Sequence, residues 1–119
     1  AVKRNFRLSR SSDFLRARRS GKSYAHALVV LIADPNPQAE LRIGIAASHS
    51  VGNAVERNRA KRRIRACMDG FLPCIPVGWN LVLIARRPLL EAPYAALQAA
   101  LKQLLRRAGL LSEPTENGT

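Results

Sequence analysis

An α+β fold is the class this sequence predicts, on three observations. Apolar runs at residues 24–33, 41–47 and 79–85 are β-branched-rich or alternate in polarity, as strands do. Stretches near the start, centre and end of the chain instead repeat their apolar residues every three or four positions, as helices do. With 119 residues, 47% of them hydrophobic, and no internal repeat, the chain reads as one domain spanning 1–119 that is long enough to bury its own core.

The elements follow in order. Residues 1–9 are a basic, loosely held N-terminal segment. Ser11 or Ser12 is placed to N-cap a short helix carrying Phe14, Leu15 and Ala17, with Arg16, Arg18 and Arg19 around it, and Gly21 ends it. Residues 24–33 form one strand, buried on much of both faces. Asp34-Pro35-Asn36-Pro37 is a turn, because two prolines cannot continue a ladder. Leu41, Ile43, Ile45 and Ala47 alternate with Arg42, Gly44, Ala46 and Ser48, giving a second strand with one greasy face and one face of small side chains. The short turn predicts that these two strands pair antiparallel. A helix follows at 53–70, a loop at 73–78, and a third strand at 79–85 that Arg86, Arg87 and Pro88 close. Residues 89–108 are a final helix with Leu97, Leu101, Leu104 and Leu105 as its core stripe and Lys102, Arg106 and Arg107 outside it. Residues 112–119 are a polar tail expected to fray.

The central helix carries the chemistry. Arg57, Arg59, Lys61, Arg62, Arg63 and Arg65 place six cations within nine positions, with only Glu56 beside them. Ala60, Ile64, Cys67, Met68 and Phe71 recur at helical spacing through the same stretch and share a stripe about 100° wide. One side therefore docks on a core while the remaining surface presents guanidinium groups, whose forks match phosphate oxygens. Twenty Lys and Arg against eight Asp and Glu leave a net charge of +12, so a polyanionic partner is expected. No run approaches a membrane span, no signal or lipidation pattern is visible, and the helix lacks the Trp and Phe of a membrane-surface helix, so a cytoplasmic protein without a membrane partner is expected. Cys67 and Cys74 make neither a zinc site nor a disulfide framework. The carboxylates are scattered and nothing brings His26 and His49 together, so no catalytic residue and no protein-bound cofactor is expected.

The motif Gly52-Asn53-Ala54-Val55, followed by Arg57-Asn58-Arg59 and Lys61-Arg62-Arg63, stands between an N-terminal Asp13-Phe14 helix and a strand ending Ile84-Ala85-Arg86-Arg87-Pro88. Over residues 3–107 this resembles the protein subunit of bacterial ribonuclease P. The resemblance implies a small mixed sheet packed with three helices, a left-handed β-α-β crossover around the basic helix, and a likeness to domains of ribosomal proteins. It implies a non-catalytic protein component of an RNA-based endoribonuclease that removes the 5′ leader from precursor tRNA, with Mg2+ held in the RNA-protein holoenzyme and one protein per RNA. Carried over residue by residue, Asn53, Arg57, Asn58, Arg59, Lys61, Arg62 and Arg65 form the catalytic-RNA contact set. Phe14, Arg18, Ser48, Ser50, Arg86 and Arg87 line or edge the cleft for the precursor leader.

The chain departs from the family in that cleft. Arg18 stands where many members place a second aromatic, Ile32 stands for an aromatic late in the first long strand, and Ser48-His49-Ser50 replaces a lysine-bearing stretch. Phe14 is either a stacking residue for a leader base or a core residue of its helix. His26 reads as a satisfied structural histidine and His49 as an exposed turn residue. The alternative to the ribonuclease P reading is a ribosomal or RNA-chaperone protein.

Overall fold

Residues 79–85 are apolar at every position except Asn80, and a strand with no polar face must be covered on both. The computed structural model, which describes the backbone of residues 11–111 and the side chains of 15–111, places this strand inside the sheet. The elements are α1 (Ser11–Ser20), β1 (Lys22–Ala25), β2 (Val29–Pro35), β3 (Leu41–Ala47), α2 (Ala54–Asp69), β4 (Trp79–Ala85) and α3 (Tyr94–Arg107). Short 3-10 turns lie at Leu72–Cys74 and Arg87–Glu91. The sheet order is β1-β2-β4-β3, with β2 antiparallel and β3 parallel to β4. The sheet is mixed, and β3-α2-β4 is a β-α-β unit.

This order corrects the expected antiparallel pairing of β2 with β3, because β4 lies between them. Residues 36–40 must cross two strand spacings, roughly 10 Å, which an extended link of that length reaches. The start of β4 is bonded into the link as it passes: Asn36 N donates to Gly78 O at 2.8 Å, and Gly78 N and Trp79 N donate to Glu40 O at 2.8 and 3.0 Å. The single strand expected at 24–33 is also corrected, to the antiparallel pair β1 and β2. The chain reverses at residues 26–28, where His26 N donates to Val29 O and the His26 ring Nδ1 accepts from Leu28 N, both at 3.1 Å. His26 is thus the satisfied structural histidine expected.

The third correction concerns the last helix, which starts at Tyr94 rather than Leu89. Pro93 confines Ala92 to extended backbone, with ψ 141°, so the Arg87–Glu91 turn cannot run on into α3. A 3-10 turn likewise stands at the edge of the expected loop 73–78. Helix α1 already includes Ser11 as its first helical residue, and its capping position lies outside the described residues.

Two apolar clusters flank the sheet. On one face Leu31, Leu83, Leu81 and Ile43 pack against Ile64 and Met68 of α2 and Leu97, Leu101 and Leu104 of α3. On the other, Ile32 and Val82 meet Ala17 of α1. That contact is close enough to require glycine where α1 turns into β1. A Cβ on Gly21 would lie 2.6 Å from Ala17 O and 2.7 Å from the Ile32 side chain.

Helix α2 begins with a capping box in which the Asn53 side chain accepts from Glu56 N and Glu56 Oε1 accepts from Asn53 N, both at 2.9 Å. Gly52, at φ 152°, leaves room for that Glu56 carboxylate. Ala60, Ile64, Cys67 and Met68 are buried as expected, and Phe71 packs on the core just past the helix. Ile64 is fully buried at the centre of the stripe. Ile64→Ala should therefore lower stability by about 2–5 kcal/mol through a cavity, measured by denaturant unfolding. A variant that unfolds like the parent would show that α2 is rotated away from the position described.

Candidate nucleic-acid interface

The cations of α2 divide by their azimuth around the buried stripe. Arg62 lies about 160° around the helix from Ile64 and is exposed, with Asn58 and Arg59 exposed on the same outer arc. Lys61 and Arg65 are half-buried along one flank. Arg57, seven residues before Ile64, shares the azimuth of the stripe itself. It lies in the first turn, where its Nη1 donates to Gly52 O at 3.1 Å and stands 2.8 Å from His49 Nδ1. Arg57 is thereby folded onto the connection between β3 and α2 rather than onto the outer arc. Asn53 spends its side-chain oxygen on the helix cap but remains exposed.

Arg63 has a different role. Its Nη1 donates to Leu89 O and its Nη2 to Ala92 O at 2.6 Å, while Arg59 Nη2 donates to Leu90 O at 3.0 Å. Two α2 guanidiniums thus reach the carbonyls of the turn after β4. Beside them, burial pushes the Cys67 thiol pKa up, while a hydrogen bond from Tyr94 and the Arg63 charge pull the other way. Burial and the neighbouring Cys67 raise the Tyr94 hydroxyl pKa as well. Both groups therefore remain neutral next to Arg63 at ordinary pH.

The second face of the sheet carries α1 over part of its length. Along that face the Ile32-Val82-Gly44 row is buried, with Ala17 of α1 packed on Ile32 and Val82, whereas the Val30-Ile84-Ala46 row toward the other end is only half-buried. Gly44 and Ala46 in these rows are the small-residue face expected for β3. Because β3 and β4 are parallel, Ser48, Ser50, Arg86 and Arg87 leave the sheet at one end, which Arg57 also reaches. There Ser48 Oγ and Ser50 Oγ are 2.7 Å apart and Arg86 Nη1 donates to His26 O at 3.4 Å. His49 is exposed but is bonded to Arg57 rather than standing alone.

The opposite end is closed by a polar anchor that sequence reasoning did not find. Asp34 is only 4% exposed. Its Oδ1 lies 3.1 Å from Ser20 Oγ and its Oδ2 lies 3.6 Å from Arg16 Nε. This holds the last turn of α1 at the end of β2, so the first turn of α1 points toward the end bearing Ser48 and Arg86. Arg18 is exposed on α1. The side chain of Phe14 lies outside the described residues. The only hint of the anchor in the sequence was an aspartate directly following an apolar strand, which reads equally well as a turn residue.

Known proteins resemble this arrangement. A family model described as Ribonuclease P matches residues 2–109. The ribonuclease P protein component of Chloroflexus aurantiacus is 37% identical over 115 residues, covering 96% of this chain and 85% of that protein. The corresponding protein of a Roseiflexus species is 39% identical over 111 residues, covering 92% and 91%. Among solved structures, the ribonuclease P protein of Staphylococcus aureus superposes with a TM-score of 0.80 at 30% identity, covering 90% of this chain and 98% of that one. That of Thermotoga maritima gives 0.75 at 30% identity, covering 85% and 96%.

The anchor makes its own prediction. The Arg16 end is largely exposed and adds little, so most of the loss in Asp34→Ala comes from the Ser20 contact, about 1–2 kcal/mol. Amide exchange should accelerate across α1 while α2 keeps its protection. Unchanged exchange in α1 would show that Ala17 packing alone holds that helix.

Proposed function

The chain belongs to the ribonuclease P protein family, and on that premise we propose that it is the non-catalytic RNA-binding subunit of a tRNA-processing ribonuclease. It binds a catalytic RNA through α2 and the 5′ leader of precursor tRNA through the cleft between α1 and β3. The observation that carries this reading is the outer arc of α2. Asn58, Arg59 and Arg62 are exposed and Lys61 and Arg65 flank them, on a helix whose other side is locked into the core. Long cationic side chains on a rigid helix neutralise phosphates with little further ordering.

The cleft suits a single strand. Its floor is the half-buried apolar row Val30-Ile84-Ala46, and the end beyond it carries Arg57, Arg86, Arg87, Ser48 and Ser50, which can hold a phosphate backbone. Phe14 of α1 is the aromatic assigned to stack on a leader base, with Arg18 one turn further on. Among the described residues no three His, Cys, Asp or Glu side chains come together in a way that could hold a metal ion. On this reading the catalytic magnesium belongs to the RNA. What the chain supplies is positive charge that screens phosphate repulsion, with one protein per RNA.

Two outcomes test this. Arg62→Ala should weaken binding to a bacterial ribonuclease P RNA by about 1–3 kcal/mol and flatten its salt dependence by about one counterion, with no change in melting. Parental affinity and slope would remove α2 from the RNA face. In the second test, purified protein freed of RNA should cleave no precursor tRNA at any magnesium concentration. Added to the catalytic RNA, it should lower the magnesium needed for 5′ processing, and the benefit should shrink as monovalent salt rises. Cleavage by the protein alone would falsify the non-catalytic role. An unchanged magnesium requirement would point instead to a general RNA-binding protein of the ribosomal or chaperone kind.

A further inference from the structure

Arg63 belongs to the basic run by sequence but not by geometry. Its guanidinium is turned from the outer arc to the Arg87–Glu91 turn, where it donates to Leu89 O and Ala92 O and reaches Leu90 O at 3.5 Å. Leu89 O also accepts from Ala92 N at 3.3 Å and Leu90 O from Arg59 Nη2 at 3.0 Å, so Arg63 is the group that joins both ends of the turn, from Leu89 O to Ala92 O, where Pro93 interrupts the helical ladder before α3. The Leu89 and Leu90 side chains are buried, so the turn is fixed in the core from below and by Arg63 from above. The residues entering that turn are Arg86, whose N donates to Leu28 O at 3.0 Å, and Arg87.

We propose that Arg63 is a positioning residue that does not touch RNA. It ties the RNA-binding helix to the turn after β4, so that Arg86 and Arg87 stand at a fixed offset from the outer arc of α2. The inference rests on the assignment of the outer arc to the catalytic RNA and of the cleft to the leader. A planar fork spans several carbonyls at once, whereas an ammonium is a single point and an amide is shorter. Lysine at this position therefore keeps the charge and loses the clamp.

The test uses Arg63→Lys and Arg63→Gln in the holoenzyme reconstituted with a bacterial ribonuclease P RNA, compared at equal folded fraction. Three quantities are read. In the free protein, amide exchange at Leu89 to Ala92 should accelerate in both variants. Affinity for the catalytic RNA, with its salt slope, should stay parental in both. The ratio of affinities for leader-bearing precursor over leaderless mature tRNA should fall in both, by roughly fivefold, the low end of coupling between linked sites. A simple loss of folding would lower RNA affinity and the leader ratio together, which the equal-fraction comparison removes. If Arg63→Gln lowers the salt slope by about one counterion while Arg63→Lys does not, Arg63 is an RNA contact and the proposal is overturned. It is equally overturned if the parent shows a leader preference that both variants retain in full. A parental ratio of one would instead overturn the leader-binding reading itself, and the exchange measurement would then still report whether the clamp exists.

Discussion

The architecture depends on one constraint, the need to cover β4 on both faces and both edges. Leu81 and Leu83 point to the layer of α2 and α3, while Val82 points to α1. A strand of this kind is unstable at a sheet edge and finds its lowest free energy in the interior. Once β4 is inserted between β2 and β3, the rest follows. The β2-β3 link must step over it, α2 must bridge β3 to β4 on the first face, and the loose ends of β3 and β4 emerge together. The joint exit of those ends is what gathers Ser48, Ser50, Arg57 and Arg86 into one corner, although they are distant in sequence.

The same logic distributes positive charge. A net charge of +12 on 119 residues works against compaction, and each cation must either reach water or find an acceptor. Helix α2 does both. Arg62 is solvated, whereas Arg57 and Arg63 donate to backbone carbonyls of the adjoining turns. The buried stripe of Ala60, Ile64, Cys67 and Met68 anchors the helix strongly enough to hold these charges close together. Charge that looks uniform in sequence is thus divided between surface and scaffold, and hydrogen-bond geometry rather than residue type decides which is which.

Much of this was legible beforehand, for physical reasons that also explain the failures. The stripe of α2, the leucines of α3 and the bounds of β4 are local periodicities, and the structure reproduces them. The break at His26 was not visible, because the turn uses a histidine ring as acceptor in place of Gly or Pro. The insertion of β4 is a long-range event, and Pro35, which ends β2, and Pro37 beyond it signal a turn without saying how far it travels. Leu89 and Leu90 continue the leucine spacing and so predict an earlier start for α3, although Pro93 stands between. The motif identified the basic helix, yet it could not show that Arg57 folds back or that Arg63 faces carbonyls 26 and 29 residues away. The anchor at Asp34 was hidden because its partners lie on another element.

The departure from the family pattern that the resemblance implies after β3 has a structural counterpart. The resemblance leads one to expect lysines after β3, but the segment reads Ser48-His49-Ser50, which carries no fixed charge. The corner is nonetheless supplied with a cation. Arg57 lies on the inward azimuth of α2, too early in the helix to enter the core, and Gly52 O and His49 Nδ1 direct it back over the same segment. The first turn of a helix is also where backbone N–H groups and the helix dipole favour an anion, although the Glu56 carboxylate already takes the Asn53 N–H. On the proposed reading, charge that relatives place on the strand end is delivered here from the helix. Of the serine hydroxyls, 2.7 Å apart, one donates to the other, which leaves a single neutral donor beside it. Such a site holds its guanidinium in one orientation, at the expense of the reach that flexible lysines would give. On the proposed reading it favours a leader phosphate at a defined distance from the outer arc of α2 over a loosely attracted strand.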